Sequence, residues 1–195
     1  MGITKLSKSG FKSSSYEKYN DFLAGNTAFS PSSYESIATV TVGSGGAANV
    51  EFTSIPATYA HLQLRYIFKH DSTETTTKIQ LNSDTGNNYT RHRLTGDGAS
   101  VSAAAATSTS FIGSGSASGT ANIFSAAVLD ILDYTNTNKY KTLRFLTGFD
   151  TNGGGSIQLL SSLWMNTNAI TSIKFFFDSG NFAQYSQFAL YGIKN

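Results

Sequence analysis

The sequence predicts an all-β protein: an antiparallel β-sandwich of jelly-roll type with about nine or ten strands, preceded by an N-terminal arm that carries a short helix. Three observations predict this class. Charged residues make up only 13% of the chain, whereas Phe and Tyr number 14 and 10. Such a composition, with Thr, Ser and Asn as the main polar residues, favours strands over helices. Hydrophobic and polar residues also alternate along many short segments, and turn residues separate these segments without a βαβ rhythm.

Residues 1–33 differ from the rest of the chain and are predicted to form an anchoring arm. Ser14 precedes Glu17 by three residues, the spacing of a capping box, and Gly25 follows as a stop signal. These signals predict a helix over about residues 15–24. A helix of this length is marginal alone in water. We therefore expect it to become ordered when it docks on a partner.

The arm supplies the residues that we expect to bind this partner. Aromatic and aliphatic side chains recur at helical spacing and form one stripe on the predicted helix, and lysines precede them. Aromatic anchors carry much of the binding energy in many interfaces. The predicted docking residues are Tyr16, Tyr19, Phe22 and Leu23, with Lys5, Lys8 and Lys12.

The charge distribution argues against a nucleic-acid-binding face on residues 34–195. Four of the 14 basic residues and two of the 12 acidic residues lie before residue 33, so the remainder is balanced. A nucleic-acid-binding face needs a clustered basic excess. No apolar stretch approaches the roughly 20 residues of a membrane span. We expect neither a nucleic-acid partner nor a membrane partner.

From Glu35 onwards, the hydrophobic pattern changes to a period of two. Residues 35–42 and 47–55 flank the turn GSGG, which predicts a hairpin. Residues 76–82 predict a further short strand, and residues 83–88 predict a turn. Before these two segments, HLQLRYIFKH predicts a strand whose inward face consists of Leu62, Leu64, Tyr66 and Phe68.

The middle of the chain contains an arginine pair and a low-complexity segment. Residues 89–96 predict a strand with Arg91 and Arg93 on one face. We interpret this pair either as a contact for an anion or for a carboxylate of a neighbouring chain, or as a solvated strand face. The Gly, Ser and Ala-rich residues 96–121 predict a loop that is mobile or ordered by a partner, with a strand at residues 107–112 inside it.

The second half of the chain predicts one strand after another. One strand face fits Ile123, Ala127, Leu129 and Ile131, and no N-cap precedes their segment, which favours a strand over a buried helix. The strand segments are residues 122–132, 140–149, 156–166, 169–178 and 185–193.

Neighbouring large apolar residues raise the question of what covers the second face of a sheet. Adjacent strand residues point to opposite faces, so Phe175 and Phe176 cannot both lie in one core, and Trp164 beside Leu163 poses the same problem. Another sheet, the arm or a neighbouring subunit could cover the second face. We favour a subunit or virion contact. The predicted inter-subunit residues are Arg91, Arg93, Trp164 and Phe176.

The sequence lacks the spacings typical of metal and nucleophilic sites. His61, His70 and His92 are the only histidines, and we interpret them as isolated surface residues, since no HxH or HExxH pattern includes them. No serine lies in a G-x-S-x-G context. The turn at residues 83–89 offers oxygen donors but a single carboxylate, so we interpret it as a hairpin turn rather than a calcium site. We predict no metal and no cofactor.

An enzymatic function is the weakest alternative. A glycoside hydrolase would need two carboxylates about 5–10 Å apart. Asp130 and Asp133 are three residues apart, which would place them on opposite faces of a strand. The prediction is therefore a protein without enzymatic activity.

Four segments, in this order, resemble a family of tailed-bacteriophage virion proteins. They are YESIATVTVGSGGAANVEFTSIPATYAHLQLR (34–65), IQLNSDTGNNYTRHRLTGDG (79–98), SSLWMNTNAITSIKFFFDSGNF (161–182) and FALYGIKN (188–195). In that family a strand hairpin, an IPxTYxHLxLR-like segment, an Asn-rich turn and a terminal LYGI recur. The resemblance covers roughly residues 34–195 and does not include the arm.

The resemblance implies a non-enzymatic structural protein on the virion surface, made in the host cytoplasm. Such a protein would be a capsid decoration (cement) or head-fibre protein, and its arm would bind the major capsid protein or a tail or portal component. Similar proteins of this size are often trimers, and we expect a homo-oligomer. The alternative is a tail fibre or receptor-binding protein that recognises host surface carbohydrate through exposed aromatic and amide side chains. The resemblance leaves the location on the head or the tail open.

Overall fold

The computed structural model describes residues 33–194, which are all-β and contain no helix. Twelve strands form two antiparallel sheets, where about nine or ten strands were predicted. The strands are β1 (Tyr34–Thr41), β2 (Asn49–Phe52), β3 (His61–Phe68), β4 (Thr75–Leu81), β5 (Tyr89–Gly96), β6 (Val101–Thr109), β7 (Ile112–Ala117), β8 (Ser125–Leu132), β9 (Lys141–Asp150), β10 (Gly155–Trp164), β11 (Ile173–Phe176) and β12 (Gln187–Ile193).

The predicted arm lies outside the described residues. This applies to the helix at about residues 15–24 and to its docking residues Tyr16, Tyr19, Phe22, Leu23, Lys5, Lys8 and Lys12. The division into an arm at residues 1–33 and a domain at residues 34–195 stays a prediction.

The two sheets differ in width. The large sheet has the strand order β1-β12-β3-β8-β9-β10-β5-β6, and the small sheet has the order β2-β11-β4-β7. The face of the large sheet that carries the buried side chains is called its inner face, and the opposite face is called its outer face. The small sheet packs on the inner face, where the ring of Tyr66 on β3 lies 5.1 Å from the ring of Phe175 on β11. The prediction of an all-β fold with antiparallel sheets is confirmed.

Alternating hydrophobicity determines which residues enter the core. The predicted inward face of β3 is confirmed, since Leu62, Leu64 and Phe68 have no exposed surface and Tyr66 is 4% exposed. Strand pairing extends this pattern across the sheet. Leu64, Leu129, Phe145 and Leu160 form one in-register row across β3, β8, β9 and β10, and all four are buried. Burial of such side chains is the main favourable contribution to folding.

The predicted hairpin at residues 35–55 is wrong. β1 pairs with β12 in the large sheet, whereas β2 pairs with β11 in the small sheet. The connection turns at Gly45 and Gly46, whose positive φ angles of 98° and 75° favour glycine. Burial explains this arrangement, because Val50 and Phe52 reach the core from the small sheet, where they are 2% and 4% exposed.

The predicted loop over residues 96–121 is also wrong in most of its length. Residues 101–109 form β6 at the edge of the large sheet, and residues 112–117 form β7 in the small sheet. Alanine has a low strand propensity, which made the Ala run in β6 resemble a loop. Ladder hydrogen bonds to β5 hold this strand, since most of its side chains are exposed.

The predicted inter-subunit role of Trp164 is wrong, because its side chain is fully buried within the domain. The indole Nε1 donates a 2.7 Å hydrogen bond to the carboxylate of Asp84 in the turn after β4. The same carboxylate accepts hydrogen bonds from the Gly86 backbone N–H at 2.8 Å and from Asn88 Nδ2 at 3.0 Å. This turn therefore folds over the end of β10, and the carboxylate oxygens serve as a hydrogen-bond acceptor for the tryptophan.

Asp84 is ionised at neutral pH. Partial burial favours the neutral acid, but the hydrogen bonds from Trp164, Asn88 and Gly86 outweigh burial and hold the pKa below its ordinary value of 3.8. A depressed folded-state pKa contributes stability above the unfolded-state value, and this stability is lost as the pH falls through the folded-state value.

Replacement of Trp164 by Phe tests this contact. We expect Trp164→Phe to lower the free energy of unfolding by about 1–2 kcal/mol at pH 7, because a hydrogen bond to a charged group is lost. The difference from the unsubstituted protein should shrink as the pH falls from 3.8 through the lower pKa of folded Asp84, where this carboxylate becomes protonated. Urea unfolding at a series of pH values measures both effects, and a difference that stays constant with pH would contradict the account.

Candidate functional site

The outer face of the large sheet carries a band of exposed apolar side chains on neighbouring strands. In the ladders, Leu159 of β10 lies between Leu94 of β5 and Leu146 of β9. The next outward position on β10 is Ile157, and Val101 of β6 lies in the same row. We call these five residues the apolar band. Their exposed fractions are 57% for Leu159, 49% for Leu94, 51% for Leu146, 61% for Ile157 and 73% for Val101.

The local sequence explains why the outer face of β10 is apolar. Gln158, Leu160 and Ser162 are buried on the inner face, so the alternating residues Ile157 and Leu159 must point outward. A strand with one solvated face normally places polar residues on that face. The adjacent pair Leu159-Leu160 is the sequence signal for this arrangement, since two adjacent leucines cannot both enter one core. None of the five residues of the apolar band is among the site residues predicted from the sequence.

Glycines on both sides of Ile157 create hollows in the band. Gly96 and Gly148 occupy the ladder positions next to Ile157 on β5 and β9. An open groove of about 870 Å³ runs along this row, with Leu146 and Ala126 in its lining. A neighbouring hollow of about 600 Å³ lies between β9 and β6, and its lining includes the apolar residues Leu94, Ala103, Ala105 and Leu159. The band therefore presents ridges and hollows, which suits interlocking with another apolar surface.

A polar row borders the band on one side. His92, Ser161, Arg144 and Asp130 occupy in-register outward positions on β5, β10, β9 and β8. Arg144 and Asp130 are direct cross-strand neighbours of opposite charge. An apolar centre with a polar border is typical of protein–protein interfaces.

Arg91 and Arg93 lie on the inner face of β5. Their predicted placement on one strand face is confirmed, since both alternate with the outward His92 and Leu94. Each is half-buried. The structure therefore does not decide between the two interpretations, and both the solvated strand face and the role in binding an anion or a neighbouring chain stay predictions.

Phe176 lies on the outer side of the small sheet, as the alternation with the buried Phe175 predicts. Its ring stands edge-on to the ring of Phe111 at 6.5 Å, and Lys174 Nζ lies 5.8 Å from its centroid. Side chains of the same chain therefore cover part of Phe176. Its predicted contact with another subunit remains a prediction.

The histidines occupy three different environments. His92 is exposed, whereas His70 is 3% exposed, so the interpretation of all three as surface residues is wrong for His70. Its Nδ1 accepts hydrogen bonds from the backbone N–H groups of Ser72 and Thr73, and its Nε2 donates to the carbonyl of Ser179 at 2.9 Å. This ring connects two loops. Among residues 33–194, no cluster of three or more His, Asp and Glu side chains is arranged to hold a metal ion.

The two aspartates considered for catalysis have separate partners. Asp130 accepts a 2.8 Å hydrogen bond from Gln63 Nε2, whereas Asp133 pairs with Lys139 and lies 3.5 Å from His61 Nδ1.

The described part of the chain contains no helix that is long and apolar enough to span a membrane.

Comparisons with protein-family models, with curated proteins and with solved structures found no match to this chain.

The two faces of β10 should respond differently to truncation. We expect Leu160→Ala to lower the free energy of unfolding by about 2–5 kcal/mol, because it leaves a cavity in the core. Leu159→Ala should change it by less than about 1 kcal/mol, since its side chain is more than half exposed. Urea unfolding of the two variants measures this contrast, and a loss at Leu159 as large as that at Leu160 would show that the band belongs to the core.

Proposed function

We propose that the chain is a non-enzymatic structural protein of a tailed-bacteriophage virion, a capsid decoration or head-fibre protein held on the particle by its N-terminal arm. The apolar band supports this proposal most strongly, because a protein that assembles needs a surface of this kind. The sequence resemblance over roughly residues 34–195 is the reason for proposing a virion as the assembly.

We further propose that the domain is an extended jelly roll. Strands β1, β12, β3 and β8 are neighbours in the large sheet, and β2, β11, β4 and β7 are neighbours in the small sheet. Eight strands that alternate between two four-stranded sheets in this order match a jelly roll, a fold that viral capsid proteins and lectins use. Two additional hairpins, β5–β6 and β9–β10, widen the large sheet. The fold alone does not establish function.

The apolar band lies on these additional strands. Leu94 and Val101 belong to β5 and β6, and Leu146, Ile157 and Leu159 belong to β9 and β10. The strands outside the eight-stranded arrangement therefore carry all five residues of the apolar band. This location supports a role in assembly rather than in the stability of the sandwich.

The proposed occupant of the band is a second copy of this chain. With strands about 4.8 Å apart and alternate residues about 7 Å apart, the band and its border cover a few hundred Å², the size of the functional patches of many monomers. The opposite charges of Arg144 and Asp130, side by side on the border, allow a two-fold arrangement that pairs each with its counterpart on the other copy. Contact with a second copy would remove the half-exposed leucines from water.

Charged substitutions in the band test this self-association. We expect the double substitution Leu94→Asp and Leu159→Asp to weaken self-association at least tenfold, since it would bury charges in an apolar contact. Sedimentation equilibrium over a range of concentrations measures the effect. Leu132→Asp is the matched control, because Leu132 is 50% exposed on the outer face of β8 but lies beyond the polar row. Equal effects of the two changes, or a protein that is monomeric throughout, would contradict the proposed contact.

Deletion of the arm tests the proposed attachment. We expect a chain lacking residues 1–33 to remain folded and soluble but to lose incorporation into particles, and substitution of Tyr16, Tyr19, Phe22 and Leu23 by Ala to have the same effect. Copy number on purified particles measures incorporation, and thermal unfolding serves as the control for folding. Full occupancy by the truncated chain would contradict anchoring by the arm. Loss of host adsorption with normal incorporation of domain-loop variants would favour the receptor-binding alternative.

A further inference from the structure

The inner face of β5 carries two cations, and β5 is the neighbour of the edge strand β6 in the large sheet. Arg91 and Arg93 are separated by one residue, so both point to this face, about 7 Å apart at the backbone. The neighbouring β6 has alanines at the facing ladder positions. Ala104, which is exposed, lies opposite Arg93, and Ala106, which is half-buried, lies opposite Arg91. Both arginines therefore lie next to the largely exposed edge strand of the large sheet.

Neither arginine has an anionic partner in the part of the chain that the structure describes. The ion pairs of residues 33–194 involve other side chains, and neither Arg91 nor Arg93 forms a hydrogen bond there. Arg65 on the outer face, by contrast, donates a 2.8 Å hydrogen bond to Gln63. Partly buried charges are normally paired, because desolvation of an unpaired charge is costly.

The pKa of the Arg91 guanidinium reflects this desolvation cost. Burial, and then the charge of Arg93, lower the pKa of the Arg91 guanidinium from its ordinary value. Both causes disfavour the charged form. A negatively charged group between the two side chains would offset both the effect of burial and the repulsion from Arg93.

A buried hydroxyl lies at the ladder position next to Arg91. Ser162 of β10 is opposite Arg91 in the β5–β10 pairing and is 2% exposed. Its Oγ is buried without a hydrogen-bond partner among the described residues, and the same holds for Oγ1 of Thr95 on β5. Buried polar groups nearly always have a partner. The face of the large sheet that carries the two arginines thus also carries two hydroxyl groups that can donate, one on β10 and one on β5.

A glycine holds the guanidinium of Arg91 in place. Arg91 Nη1 lies so close to Gly113 of β7 that a Cβ added at Gly113 would stand 1.6 Å from it. No other residue type leaves this space. The backbone of the small sheet therefore positions Arg91 while its charge stays unpaired.

We propose that Arg91 and Arg93, together with the hydroxyl of Ser162, form a binding site for an oxyanion group, a carboxylate or a phosphate. Guanidinium groups donate charge-assisted, often bidentate hydrogen bonds to such groups. The ligand could be a free anion or an acidic group on a larger molecule, and the chemistry of recognition is the same. The site lies on the inner face of β5 and does not depend on the apolar band or on the virion assignment.

Titration of the full-length protein with inorganic phosphate and, separately, with glutamate tests the site. We expect saturable binding of at least one probe by isothermal titration calorimetry at constant ionic strength. Arg91→Gln and Arg93→Gln should each weaken it at least about tenfold, because each removes a charge-assisted interaction. Arg65→Gln is the matched control with the same charge change on the outer face, and it should bind as the unsubstituted protein does.

Two further variants separate binding from folding. Arg91→Lys keeps the charge but loses the planar fork, and we expect weaker binding with unchanged thermal unfolding. Gly113→Ala should displace the Arg91 guanidinium and weaken binding in the same direction. Binding of only one probe would identify its class as the ligand group. The absence of saturable binding by both probes, or equal binding by Arg91→Gln, Arg93→Gln and Arg65→Gln, would overturn the proposal.

Discussion

Packing of aromatic rings between two sheets of unequal width is the interaction on which the rest of this domain depends. Tyr66 and Phe188 of the large sheet contact Phe175 of the small sheet, with ring centroids 5.0–5.1 Å apart across the sheets. Phe182, in the segment before β12, packs 5.1 Å from Phe188 and extends the cluster. Such pairs add to the free energy gained by area burial. The rings fix the two sheets face to face and thereby determine which face of each strand is buried.

The unequal width has consequences at the β6 side of the large sheet. Four strands at a spacing of about 4.8 Å cannot cover eight. The inner row that begins with Leu64 and continues through Leu129, Phe145 and Leu160 ends with Arg93 on β5 and exposed Ala104 on β6. Within this one row, the inner face thus changes from apolar core residues to the cation of Arg93. The outer face at this side of the sheet carries the apolar band. Strand β5 therefore carries the two arginines on one face and Leu94 of the apolar band on the other, which is the physical basis of both proposals.

The sequence predicts local features of this domain better than strand pairing. The alternation in β3 identifies Leu62, Leu64 and Phe68 as core residues because period-two patterns depend only on nearby residues. The pairing of β1 with β12 instead of β2 depends on residues about 150 positions apart, and no local pattern encodes it. The alanine-rich β6 was missed because its neighbour β5, not its own side chains, stabilises it. Trp164 was assigned to the wrong surface because the turn containing Asp84 covers it.

The central claim is that this domain is a structural subunit whose copies associate through the apolar band. A reconstruction of the assembled particle tests this claim most directly. The account predicts density for several copies on the virion surface, with Leu94, Leu146 and Leu159 of one copy buried against a neighbouring copy. Copies that are well separated, with these three side chains facing solvent, would contradict it, and so would a particle that lacks the protein.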